Sequence, residues 1–123
     1  VVLPEHANHY GTLYGPSALH LMGKAAFACA TRHARCAVVM AKADSIEFDR
    51  PIRIGSIVEL RARVVFQGSS SMTVVVEVVP DGADGQEAGA SISGRFLMIA
   101  VDDRGAPIPI PSSVPPRSED RIP

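Results

Sequence analysis

From Val58 to Phe66 apolar and polar residues alternate, with Val58, Leu60, Ala62 and Val64 on one side of the repeat and Glu59, Arg61 and Arg63 on the other. A period of two marks a half-buried strand. The same signal predicts strands over residues 37–48 (AVVMAKADSIEF), 72–79 (MTVVVEVV) and 90–101 (ASISGRFLMIAV). DRPIRIG, residues 49–55, reads as a turn, and DGADGQ, from Asp81, as a loop. Upstream the period changes to that of a helix over residues 15–35, GPSALHLMGKAAFACATRHAR. Pro16 suits a first helical position, where its missing N–H is not needed. Apolar residues run almost all round this helix from Ala18 to Ala30, so it is expected to be wrapped by the rest of the chain. Lys24, Arg32, His33 and Arg35 supply its solvent contacts, and the last three sit where cations complement the helix dipole.

The first few residues read as the end of a short strand, and Pro4 to Tyr14 as a loop. Loop, one long helix and four strands with short connections define an α+β domain, a long antiparallel sheet curling around one central apolar helix. GSSSMTVVVEVV is flat and β-branched, and predicts a pairing of sheets between copies, with a homodimer as the minimal unit. The folded unit is expected to span residues 1–103, and residues 104–123, with six of the ten prolines, to form an extended tail.

Composition narrows the partners. The chain has 123 residues, 46% hydrophobic and 20% charged, with a formal net charge of −1, as one ordinary globular domain has. Ten arginines against two lysines form no basic stripe, which argues against nucleic acid, while leaving guanidinium forks suited to phosphate or carboxylate. No run approaches the ~18 apolar residues of a membrane span, and VVLPEHANHYG lacks the basic-then-apolar order of a leader. Cys29 and Cys36 make no metal spacing, and a reducing cytoplasm is the simplest compartment. His6 and His9 form H-x-x-H in a loop with no third ligand at useful spacing, so no metal is expected. Glu47 and Asp49 share one face, and surface alternation accounts for both.

Three stretches in order, LPEHANHYGTLYG, ALHLMGKAA and IEFDRPIRIGSIVELRARVVFQGSSSMTVVVEV, resemble the hot-dog fold acyl-CoA thioesterases of the bacterial acyl-CoA hydrolase type. The resemblance covers roughly residues 3–101. It implies hydrolysis of an acyl-CoA thioester at a dimer interface, in a homo-oligomer built as a tetramer or hexamer, with coenzyme A entering only as part of the substrate. In that family a loop asparagine positions the thioester, a backbone N–H at the helix start meets the carbonyl, and a helix carboxylate orients or deprotonates water.

Carried over residue by residue, Asn8 stands at the loop asparagine, and an Asx turn is its ordinary structural alternative. Gly11 matches a family glycine and suits a positive φ. Tyr14 reads as a pocket wall, and Gly15 as the residue whose N–H meets the carbonyl. Arg50 and Arg53 in the turn, with Ser70 and Ser71 at the strand start, match the region along which CoA phosphates lie.

Three positions depart from the pattern. Pro16 stands where a second glycine is usual and has no N–H to give. Gly23, eight residues after Gly15, occupies the place of the family's carboxylate, although a mid-helix glycine costs about 1 kcal/mol relative to alanine. Ser69 replaces a common arginine. His20, one helical turn before Gly23, is the candidate replacement base, and a backbone-bonded histidine is its bland alternative. The expected function is therefore a divergent acyl-CoA thioesterase. The alternative is a catalytically impaired module that binds an acyl-thioester or small apolar ligand.

Overall fold

The computed structural model describes residues 1–81 and 89–111. One helix, α1 (Gly15–Ala34), precedes four strands, β1 (Val38–Phe48), β2 (Val58–Gln67), β3 (Ser71–Pro80) and β4 (Ile92–Ala100). Every neighbouring pair is antiparallel, and the spatial order is β1-β4-β3-β2. Each strand therefore falls within two residues of its expected start and end. Of the loop DGADGQ only Asp81 is among the described residues.

The alternation seen in sequence is the alternation of burial. In β3, Met72, Val74, Val76 and Val78 face inward and are buried, opposite Phe96 and Met98 of β4. Against this face lies a stripe of α1 made of Ala18, Met22, Ala26, Ala30 and Ala34, each fully buried. A spacing of four keeps these residues on one side of the helix, and four alanines in five let the backbone settle close to the sheet. β4 answers with Gly94. A Cβ there would collide with Cδ1 of Ile46 and lie 3.3 Å from both Met22 Cε and Phe96 Cε1. Gly94→Val is thus expected to cost about 1–3 kcal/mol by overpacking, lowering Tm by roughly 5–20 °C in thermal melts.

The four-stranded antiparallel sheet packs around α1 as expected, while Leu19, His20 and Phe27 stay exposed on the side away from it. Three expectations are corrected. The flat strand β3 is interior, bonded on both sides by β2 and β4, so it offers no edge. The free apolar edge is β1, where Val39, Met40 and Phe48 are each about half exposed. The first residues are not strand: Val2 is buried and exchanges backbone hydrogen bonds with Gly55 and Ser56, and a single 3-10 turn, Pro4–His6, follows.

The third correction concerns the proline-rich segment. A tail was expected from residue 104, yet residues 104–111 turn back on Asp102 and dock on the end of the sheet. Val101 bridges Pro107, the Ile108 N–H donates to Ala100 O, and the Ile110 N–H donates to Ser69 O. Ile108 and Ile110 alternate with prolines, and Ile110 joins the core. Proline lacks a donor, but every second residue keeps one, which suffices for an edge contact. Residues 112–123 lie outside the described residues.

Candidate active site

The loop before α1 is built around Asn8. Its side-chain Oδ1 accepts from the Tyr10 N–H at 2.9 Å, the Thr12 N–H at 3.1 Å and the Thr12 hydroxyl at 3.2 Å. Its backbone closes the same loop, accepting from Gly11 N–H and donating to Thr12 O, with Gly11 at φ +80 as its position in the turn requires. Asn8 is thus an Asx-turn former. Its Nδ2 has no partner among the described residues and remains a donor.

That loop delivers the chain to the start of α1. Tyr14, the N-cap, makes no side-chain cap bond, and no acidic residue occupies the first turn. The first N–H groups of a helix have no partner within it, so the Gly15 amide is an uncapped donor at the positive end of a dipole. Pro16 contributes none. Gly15 leaves room for Phe48, whose Cζ would lie 3.7 Å from a Cβ there. Tyr14 is half exposed, beside this opening.

Eight residues on, about 12 Å along the axis, α1 forms the floor of a cavity of about 500 Å³. Leu19, His20, Gly23, Lys24, Phe27 and Met40 line it. A Cβ on Gly23 would lie 3.4 Å from Met40 Cε, in van der Waals contact, so the methionine methyl borders the helix at the glycine. His20 and Gly23 are brought together as the sequence spacing predicts. His6 and His9 are not paired: Nδ1 of His6 accepts the Leu3 N–H at 3.1 Å, and the His9 ring lies against Tyr10.

The remaining candidates divide between the two ends of the sheet. Arg50 donates to Ala90 O at 3.3 Å, and Arg53 bridges Thr12, both at the end that holds Asn8 and Gly15. Ser69, Ser70 and Ser71 lie between β2 and β3 at the opposite end, about 30 Å away along a ten-residue strand. One chain does not bring these two groups together. Met40, Phe27 and Leu19 were not singled out from sequence as cavity residues. The available signal was the helix's second apolar face, which its own sheet leaves uncovered.

A long helix on the inner face of a four-stranded antiparallel sheet, preceded by an asparagine loop, defines the hot-dog class. The Thioesterase superfamily model matches residues 10–84, and the chain belongs to that family. An uncharacterised acyl-CoA thioester hydrolase of Zymomonas mobilis is 34% identical over 122 residues, covering 99% of this chain and 79% of the relative. Acyl-CoA hydrolase from Staphylococcus aureus, solved with butyryl coenzyme A and coenzyme A, superposes with a TM-score of 0.84 at 33% identity, covering 89% of this chain and 67% of that one. A hexameric acyl-CoA thioesterase superposes with a TM-score of 0.83 at 35% identity, covering 90% of this chain and 71% of that one.

The Staphylococcus aureus enzyme has also been solved with an asparagine, an aspartate and a threonine separately changed to alanine. The aspartate there follows the asparagine by 15 positions, and the threonine follows the aspartate by 17. The same two intervals from Asn8 end here on Gly23 and Met40. The two residues also lie close in space, since a Cβ on Gly23 would sit 3.4 Å from Met40 Cε.

Proposed function

We propose that this chain hydrolyses acyl-CoA thioesters, releasing a carboxylic acid and coenzyme A, at a site completed by a second copy. Asn8 is the observation that carries the reading. Its carbonyl end is consumed in fixing the loop, which leaves the amide end and the uncapped Gly15 N–H as two donors before and at the start of α1, suited to a developing oxyanion. In the composite site these donors come from one protomer and the base from the other: His20, on the cavity wall, takes a proton from water as its oxygen adds to the thioester carbon. The carbon–sulfur bond then breaks, and the proton passes to the leaving thiolate.

Pairing of β1 with β1 of a second copy supports the composite site. Antiparallel two-fold pairing reverses strand direction, so the Asn8, Arg50 and Arg53 end of one protomer approaches the Ser69, Ser70 and Ser71 end of its partner. The arginine forks and serine hydroxyls then face one CoA from two chains. The homodimer is the minimal unit, within a tetramer or hexamer. Two cysteines outside any disulfide fit a reducing compartment such as the cytoplasm, and no described helix is long and apolar enough to cross a membrane.

The contact between Gly23 and Met40 favours a second reading, an acyl-thioester-binding module without turnover. Thiol release from butyryl-CoA separates the two. Turnover that falls about 10²-fold or more in His20→Ala is expected for the enzyme. No release by the parent chain, with butyryl-CoA still bound in calorimetry, establishes the module instead.

A further inference from the structure

We propose that Gly23 and Met40 act as one specificity device, forming a pocket for branched or aromatic bulk on the first carbons of the acyl group. The inference rests on the acyl-CoA reading above. In the Staphylococcus aureus enzyme the corresponding positions are aspartate and threonine, two polar side chains. Here one has become a bare backbone and the other a thioether whose methyl lies 3.4 Å from the position of the missing Cβ. The two positions are neighbours: a Cβ at residue 23 would make van der Waals contact with the Met40 methyl, so what stands at one is felt at the other.

Neighbouring walls extend the apolar surface. Leu19 and Phe27 sit one turn before and one turn after Gly23 on the same side of α1, and both are exposed to the cavity. Polar groups are confined to His20 and Lys24. Around residue 23 the lining is mostly carbon, which favours apolar bulk there over a charged group. Methionine, with three rotatable bonds, adapts to irregular apolar shapes better than a β-branched residue does.

The occupant follows from position. His20 lines the same cavity as Gly23, so whatever lies over the glycine is adjacent to the reacting carbonyl, which in an acyl group means the α and β carbons. A straight chain lies along one wall and leaves carbon surface beside the Met40 methyl uncovered, which a 2-methyl branch or a phenyl ring reaches.

Binding distinguishes this inference from the catalytic reading. Dissociation constants are measured by calorimetry for non-hydrolysable thioether analogues of butyryl-CoA, 2-methylbutyryl-CoA and phenylacetyl-CoA, each referred to that of CoA on the same variant. The parent chain is expected to bind the branched and aromatic analogues about tenfold more tightly than the straight one. In Gly23→Ala, a change that favours helix and so folds, the preference is expected to shrink to less than threefold. In Gly23→Asp/Met40→Thr it is expected to vanish. Equal affinities for all three analogues on the parent, with CoA bound, overturn the inference and leave the acyl-CoA reading intact. A preference that survives in both variants overturns it as well. No binding of CoA or of any analogue removes both.

Discussion

Asn8→Asp is expected to lower turnover of butyryl-CoA by about 10²- to 10³-fold while moving Tm by no more than about 2 °C. The asymmetry comes from how the two ends of the side chain are used. Three donors converge on Oδ1, the Tyr10 N–H, the Thr12 N–H and the Thr12 hydroxyl, and an aspartate carboxylate accepts all three as well as the amide oxygen did. The other end changes from a donor to an acceptor and acquires negative charge where negative charge must develop. Asn8→Ala, by contrast, removes both functions. It leaves the Tyr10 and Thr12 amides without their acceptor and is expected to cost a further 1–3 kcal/mol of stability. Steady-state thiol release and thermal melts on the two variants together separate the loop-building role from the catalytic one. Equal activity in Asn8→Asp and the parent would remove Asn8 from the mechanism.

Restoring the polar pair is the second large effect. Gly23→Asp alone is expected to raise kcat on straight-chain substrates by less than tenfold, because the new carboxylate would abut the Met40 methyl, 3.4 Å from the added Cβ. A charged group against an apolar wall is desolvated without recompense and is driven towards its neutral form, which is no base. Gly23→Asp/Met40→Thr supplies a hydroxyl at the same place, and a general base of that kind contributes typically 10²–10⁴-fold. The double variant is accordingly expected to exceed the product of the two single effects by at least tenfold, a non-additivity characteristic of touching residues. Additive single effects would show that Gly23 and Met40 act separately. The same measurement decides whether the parent is a slow enzyme or a binder, since a module without turnover gains activity only in the double variant.

Much of this architecture is legible in the chain because local periodicity and burial coincide. The alternation of Val58, Leu60, Ala62 and Val64 against Glu59, Arg61 and Arg63 places β2 correctly, and Pro16 marks the start of α1. What is not legible is which strand borders which. MTVVVEVV has the composition of a strand in need of a partner, but both its neighbours, β2 and β4, come from its own chain. The same limit applies to the site. Gly23 is conspicuous, since a glycine in mid-helix opposes propensity, whereas Met40 looks like any inward residue of a strand. Only the fold shows that the two are neighbours, with the Met40 methyl bordering the helix at the glycine. The docking of residues 104–111 was hidden for another reason: proline density reads as an extended tail, while the alternate isoleucines that anchor it are too few to form a period.

The two borders of the sheet are unlike. β1 offers apolar Val39, Met40 and Phe48, and its ladder with β4 slips twice, between Met40 and Lys42 and between Asp44 and Glu47, where Ser45 takes a φ of 54. β2, at the far border, carries Glu59, Arg61 and Arg63. A copy that joins through β1 covers Val39, Met40 and Phe48 and leaves the next arrival a border that interleaves Glu59, Arg61 and Arg63 with apolar residues and carries the exposed Phe66 near its end. The irregular ladder also fixes one alignment, because a bulged strand matches a partner in few registers. The charges on the second border disfavour further strand addition there, so the asymmetry of the borders works against growth into a fibre.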